Sequence, residues 1–257
     1  QFDLVFNQKV LSEGAASLWR SLRDEHSRVT DLGFYCTDAT VSQDDIQKTT
    51  RNVLDGYLRS RTLFRGFRIH ESGMDEFEAV VARAHQQKIK LTVVFQPVHA
   101  LMLEAIHAAG LWETFEQWQS DIITTVEQTS DGTVSVWSFL DYHPYTTQPM
   151  LTTESESTSQ EECLFVEPSH CKPRLGTFVL QRLFDDDHAQ RDFGRRVQST
   201  NISRHFAMVR ENRRIWQSLH AKESNALKKI AIAAGHDPLL SANDVTATAV
   251  NAGRVVR

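Results

Sequence analysis

The sequence predicts an α/β domain built around a mostly parallel sheet. Between residues 75 and 139, amphipathic segments and short β-branched runs follow one another in the order helix, strand, helix, helix, strand. Parallel strands need crossover connections of about a dozen residues or more, and the helical segments are long enough to provide them. A chain of 257 residues is within the range of one such domain.

Composition and charge exclude several classes of protein. With 40% hydrophobic and 24% charged residues, the chain is not collagen-like, coiled-coil or wholly disordered. Its net charge is −5, and lysines and arginines are scattered along it, so a nucleic-acid partner is not expected. No apolar run approaches the roughly 18 to 20 residues that a bilayer span needs, and the candidate segment 91–95 has only the length of a strand, so we expect no membrane span.

The first half of the chain begins with less regular segments. Residues 2–6 alternate loosely and suit a short strand or the start of a helix, and residues 12–22 suit a helix with Ser12 as its N-cap. A helix is predicted from Ser42 to about residue 61, because Asp44 and Asp45 place negative charge in its first turn. Gly56 weakens the centre of this helix.

The segment from 75 to 139 is the most regular. Apolar residues at helical spacing predict a helix at 75–88, and the β-branched run 89–95 predicts a buried strand that ends before Pro97. Helices follow at 98–109, before Gly110, and at 112–127. A turn at Asp131-Gly132 then leads into an alternating strand at 134–139.

The second half contains fewer strands than a complete sheet needs. Residues 146–162 are rich in Ser, Thr, Glu and Gln, which predicts a mobile excursion, and 163–166 predicts a third strand. Helices are predicted at 173–184 and, as the terminal helix, at 201–219, with a loosely ordered tail beyond about 241. Doubly wound sheets have about five strands, so this sheet is expected to lack its first strands.

One short segment suggests acid–base chemistry. Glu167 lies three residues before His170, between the predicted strand at 163–166 and the following helix. A carboxylate that accepts from the imidazole Nδ1–H fixes the tautomer and leaves Nε2 to take a proton from a nucleophile. The alternative is a surface loop in which the two side chains merely form a pair.

Several blocks of sequence carry a resemblance to a known family. The block at 165–184, which contains Val166-Glu-Pro-Ser-His170, resembles the C-terminal block of SGNH-hydrolase-like proteins, and more narrowly of bacterial relatives of the alginate O-acetyltransferases, which acylate exopolysaccharides. Other matching segments are 95–100, 109–118, 136–142 leading to 146–149, Phe193-Gly194 and 201–214. The resemblance covers roughly residues 75–220 and implies a three-layer, flavodoxin-like α/β fold.

The resemblance also implies roles for individual residues. His170 matches the general base and Glu167 the carboxylate that orients it, although the family usually has Asp there. His99 and Ser169 are expected to bind substrate; for His99 the alternative is a helix-start histidine bonded to the backbone. Ser169 is not expected to be the nucleophile, because adjacent side chains on one loop rarely reach the required geometry. At position 138 the chain has Ser where the group has Asp.

The main departure from the family is the missing nucleophile. The family's serine lies in a Gly-Asp-Ser turn after its first strand, and this chain contains no Gly-Asp-Ser. Without it no covalent intermediate can form. We therefore expect residues 1–195 to be an SGNH-like domain that is incomplete at its N-terminus, and 196–257 to add a helix and a tail. The chain alone would then be inactive.

Three functions remain open at this stage. The first is a serine-dependent acyl transferase or esterase that acts on a polysaccharide outside the cytoplasm, in the periplasm, with an acyl donor and other subunits of a synthesis or secretion complex as partners. The second is a non-catalytic scaffold or binding subunit of an exopolysaccharide assembly, and the third is an interaction module unrelated to sugars. No cofactor or metal is expected, since the spacing of His99 and His107 does not suit a zinc helix. Cys163 and Cys171 are expected to be thiols, with a disulfide as the alternative.

Overall fold

The computed structural model describes residues 43–150, 163–184 and 190–236, all of which belong to one of the two packing units of the chain. The segments predicted at 2–6 and 12–22 and the tail beyond 241 lie outside these residues, as does most of the predicted excursion. The start of that excursion is well packed, since Thr146 and Met150 are buried. The expectation that this segment buries almost nothing is therefore wrong for Thr146 and Met150, whereas its mobility stays a prediction.

The described residues form a mixed α/β structure with five strands and seven helices. The strands are β1 (Thr92–Phe95), β2 (Ser135–Ser138), β3 (Phe165–Glu167), β4 (His170–Cys171) and β5 (Arg195–Val197). The helices are α1 (Gln43–Arg59), α2 (Glu71–Gln86), α3 (Ala100–Ala108), α4 (Trp112–Ser130), α5 (Pro173–Phe184), α6 (Ile202–Leu219) and α7 (Ala221–Ala233).

The main sheet has three strands in the order β1-β2-β5. β1 and β2 are parallel, with Thr92 opposite Ser135 and Phe95 opposite Ser138. This confirms the two strands predicted around 89–95 and 134–139, which α3 and α4 connect. β5 runs antiparallel to β2, so one of the two strand pairings is parallel and the other antiparallel.

Two strands depart from the sequence prediction. The strand expected at 163–166 forms at Phe165–Glu167, but it pairs antiparallel with β4 in a separate two-stranded sheet. Only Pro168 and Ser169 connect the two strands, and such a short connection permits an antiparallel pair but not a parallel one. β5 was not predicted, because Arg195-Arg196-Val197 is short and contains two charged residues. Charged residues are common on edge strands, and β5 is an edge strand of this sheet.

The helices around the main sheet follow the predicted periodicity. α2 packs against α4, and α4 contacts β2; α3 contacts both α1 and α7. α4 runs three residues beyond its predicted end, to Ser130, and Asp131 then takes a left-handed conformation at φ 49°. α7 was not predicted: after a break at His220 it buries Leu227 and Ala231. The helix at 202–219 is therefore not the terminal one.

A buried charge holds the C-terminal helices to the rest of the unit. Glu104 on α3 is 2% exposed and accepts a hydrogen bond from Arg213 Nε on α6 at 2.8 Å. It also accepts from Tyr142 Oη at 2.8 Å and from Ser224 Oγ on α7 at 3.2 Å. The predicted boundary between residues 195 and 196 falls within β5. The division into 1–195 and 196–257 stays a prediction, although side chains from both sides of it share this network.

None of the helices in the described ranges is both long enough and apolar enough to cross a membrane.

Candidate active site at the β3–β4 hairpin

The β3–β4 hairpin brings Glu167 and His170 opposite each other. Glu167 is the last residue of β3 and His170 the first of β4, and the two are cross-strand partners. Cross-strand partners place their side chains on the same face of a sheet, close enough for a direct contact. The His170 Nδ1–H donates to Glu167 Oε1. The hairpin therefore forms the carboxylate–imidazole contact that the sequence predicts.

The carboxylate of Glu167 is buried and well supplied with donors. Its side chain is 8% exposed. Besides the imidazole, the backbone N–H of Ser169 donates to Oε2 at 2.9 Å, and the Ser169 hydroxyl donates to Oε1 at 2.7 Å. A buried carboxylate is costly unless its oxygens are hydrogen-bonded, and these three donors offset that cost. These hydrogen bonds hold the Glu167 carboxylate in one orientation against Nδ1 of the imidazole.

The ring of His170 is accessible. Its side chain is 76% exposed. A carboxylate can only accept, so the bond to Glu167 requires the proton on Nδ1 and leaves Nε2 as the acceptor nitrogen. The residue therefore presents the nitrogen that a general base uses.

Ser169 is placed to hold the carboxylate. Its Oγ lies 3.1 Å from His170 Nδ1, the nitrogen that already donates to Glu167. A serine nucleophile must instead give its proton to the acceptor nitrogen of the imidazole. This geometry fits the expectation that Ser169 is not the nucleophile. Its predicted contact with substrate stays a prediction.

The hairpin turn is attached to the chain that leaves the carboxyl end of β1. The backbone N–H of His99 donates to the carbonyl oxygen of Pro168 at 2.9 Å. β1 ends at Phe95, four residues before His99, which is the N-cap of α3. Ligands of open α/β sheets bind outside the carboxyl ends of the strands, so the Glu167–His170 pair lies next to the expected edge.

Both ring nitrogens of His99 are bonded to backbone groups. Nδ1 accepts from the N–H of Leu101 at 3.1 Å, and Nε2 donates to the carbonyl oxygen of Gln148 at 2.7 Å. The ring is buried, and this burial lowers the pKa of His99 to about 4, against the opposing effect of the Gln148 bond. His99 is therefore a neutral helix cap, as the alternative interpretation had it. Substrate binding by His99 stays a prediction that would require one of these bonds to break.

Gln148 is a positioning residue that the sequence did not reveal. Its backbone carbonyl accepts from His99, and its side-chain Oε1 accepts from the N–H of Leu164, just before β3, at 2.8 Å. It thereby joins the segment after β2 to both the α3 cap and the hairpin. No sequence pattern indicates this role, because Gln148 stands in a polar stretch that was expected to be mobile.

Other groups that were considered from the sequence have structural roles. Ser138 lies with its Oγ 3.2 Å from His205 Nε2 in the interior. Glu104, which stands between His99 and His107 in sequence, accepts from Arg213. Within residues 43–150, 163–184 and 190–236, no group of three or more His, Cys, Asp or Glu side chains could hold a metal ion. Cys163 and Cys171 form no disulfide with each other.

Comparison with known proteins gives no family for this chain: no protein-family model matches it, and neither a curated protein nor a solved structure is significantly similar to it.

Proposed function

We propose that this chain supplies the general base of a serine-dependent acyl transferase or esterase of the SGNH-hydrolase type, which modifies an exopolysaccharide in the periplasm. The observation that carries the proposal is the bond between His170 Nδ1 and the buried carboxylate of Glu167, with the ring exposed. In this role Nε2 of His170 takes the proton of a serine hydroxyl as that oxygen attacks the acyl carbon. The imidazolium then returns the proton to the leaving group.

The position of the pair supports the same assignment. A base that serves an α/β sheet must lie at the carboxyl edge, where the substrate binds. The Pro168–His99 bond ties the hairpin turn to the segment that follows β1. The three-layer, flavodoxin-like fold is part of this proposal, and the parallel pairing of β1 with β2 supports it.

The attacking serine is proposed to come from outside this sequence. The chain has no Gly-Asp-Ser, and the hydroxyl of the adjacent Ser169 donates to Glu167. We therefore expect the 257-residue chain to be inactive by itself. The same absence of Gly-Asp-Ser favours the second candidate, a non-catalytic scaffold or binding subunit of an exopolysaccharide assembly.

A serine-directed fluorophosphonate probe distinguishes the two candidates. The probe is applied to the complete protein that the gene encodes and, separately, to its H170A and E167Q variants. The enzyme hypothesis predicts labelling of one serine, loss of that labelling in H170A and slower labelling in E167Q. His70, an exposed histidine at the start of α2, provides the control H70A, which should be labelled as the unmodified protein is.

Two results would contradict the enzyme hypothesis. One is the absence of any labelled serine, which favours the scaffold. The other is labelling that H170A leaves unchanged, which would show that His170 activates no nucleophile.

A further inference from the structure

Five arginines that are dispersed in sequence line one groove. Arg182 belongs to α5, Arg191 to the segment before β5, Arg195 and Arg196 to β5, and Arg204 to α6. The groove has a volume of about 570 Å³, which is in the range of small-molecule sites. The other residues that line it are Gly194, Val197, Asn201, His205 and Met208. The fold thus creates a basic surface where the sequence showed only scattered positive residues.

Four of these arginines have no acidic partner within the described ranges. Arg191, Arg195, Arg196 and Arg204 are exposed, and no ion pair forms at any of them there. Arg213 shows the contrast, because it is buried against Glu104. Like charges that converge on one groove repel each other, and a bound anion removes that repulsion. This cluster of positive charges occurs in a chain whose net charge is negative, at −5.

His205 adds a buried polar side chain to the lining of the groove. Its side chain lines the groove and is 6% exposed, and its Nδ1 is buried without a hydrogen-bond partner among the described residues. Nε2 is already used, since it lies 3.2 Å from Ser138 Oγ. A buried polar atom without a partner is costly, which is why such atoms mark places where a ligand or an ordered water binds.

The start of α6 adds to the positive potential of the groove. Asn201, the N-cap of this helix, is one of the lining residues. Helix N-termini attract anions through their free N–H groups and the helix dipole. The pKa of His205 is lowered first by burial, with Asp141 opposing the shift and Arg195 adding to it, in agreement with a positive charge nearby.

The chemistry of the lining defines the class of ligand. Guanidinium groups bind carboxylates and phosphates through paired hydrogen bonds, and the arginines come from four different parts of the chain. We propose that this groove binds a small ligand that carries two or more carboxylate or phosphate groups. No Phe, Tyr or Trp is among its lining residues, so it offers no stacking platform for nucleic-acid bases. This inference does not depend on the Glu167–His170 pair.

Isothermal titration calorimetry of the chain with citrate and with pyrophosphate, at constant ionic strength, tests the proposal. We expect at least one of them to bind, and binding of citrate alone or of pyrophosphate alone would identify the preferred group. R195Q and R204Q, on separate elements, should each weaken binding roughly tenfold, since each removes a charged hydrogen-bond donor. Arg68 is exposed and lies outside the groove, so R68Q should bind as the unmodified chain does.

Three results would overturn the proposal. Binding of neither anion is one. Equal weakening by R68Q and by the groove variants is another, because it would indicate nonspecific charge attraction. The third is a single-stranded oligonucleotide that binds more tightly than pyrophosphate and displaces it, which would assign the groove to nucleic acid.

Discussion

The backbone N–H of His99 and the carbonyl oxygen of Pro168 lie 2.9 Å apart and form a hydrogen bond. This bond joins the capping residue of α3 to the turn between Glu167 and His170. The side chain of His99 is itself fixed by two backbone partners, Leu101 and Gln148. The hairpin that carries the proposed base is therefore supported by an interior residue whose protonation would disturb it.

The buried imidazole of His99 predicts a loss of stability in mild acid. Its pKa is about 4 in the folded chain, because burial lowers it from the ordinary value of 6.5. Between these two values the unfolded chain binds a proton that the folded chain does not, so the free energy of unfolding falls as pH falls from 6.5 to 4. The full difference corresponds to about 3 kcal/mol.

Urea unfolding at a series of pH values measures this effect in the unmodified chain and in H99N. Asn is a good N-cap, but it does not titrate, so the variant should lose about 3 kcal/mol less than the unmodified chain over this range. Parallel curves for the two proteins would show that His99 does not control the acid sensitivity.

Removing Arg213 should destabilise the fold strongly. In R213M the carboxylate of Glu104 remains buried but loses its charged partner, and breaking a buried ion pair in this way costs about 3–5 kcal/mol. Arg214, the next residue, pairs with Glu211 on the exposed side of the same helix, so R214M should change the free energy of unfolding by less than about 1 kcal/mol. Chemical denaturation of both variants gives the comparison, and similar values for the two would refute it.

Gly194 should tolerate no side chain. It has a φ of +81°, and a Cβ built there would lie 2.2 Å from the ring of Phe139, which is buried. G194A therefore combines backbone strain with overpacking, for a cost of about 2–4 kcal/mol. Gly132 has a φ of +76° but no atom near its Cβ position, so G132A measures the backbone effect alone. If thermal unfolding shows equal losses for the two variants, the close contact with Phe139 is not what restricts position 194.

The isolated chain should not hydrolyse esters through His170. Without an activated serine no acyl-serine intermediate forms, so the rate with p-nitrophenyl acetate should exceed that of H170A by no more than the slow direct reaction of one exposed imidazole. The initial rates of both proteins at equal concentration provide the measurement. A clear excess rate for the unmodified chain would show that it contains a nucleophile of its own.

The sequence predicted local elements better than their arrangement. The strands around 89–95 and 134–139 had clear β-branched or alternating patterns, and the pairing of β1 with β2 followed from the helices between them. β5 had no such pattern, because Arg195 and Arg196 lie on an edge strand that depends on β2 for its formation. The pairing partner of β3 could not be predicted from its own residues either. β3 pairs with β4 because the short turn at Pro168 and Ser169 follows it directly.

In the candidate site, the contact between residues close in sequence was predictable, and the contacts between distant segments were not. The Glu167–His170 contact was predictable because the two residues are only three positions apart in the sequence, and this spacing allows their side chains to form a hydrogen bond. The partners of His99 come from distant parts of the chain, and Gln148 stands in a segment with no recognisable pattern. The groove of arginines depends on five positions from 182 to 204 that only the packed structure brings to one surface.

The tautomer of His170 tests the central claim most directly. Long-range ¹H–¹⁵N NMR correlations of the neutral imidazole distinguish a protonated Nδ1 from a protonated Nε2. We expect the proton on Nδ1 in the unmodified chain, held by Glu167, and a shift towards the Nε2–H form in E167Q, where an amide replaces the carboxylate. An Nε2–H tautomer in the unmodified chain would contradict the account, because Nε2 would then have no lone pair with which to accept a proton.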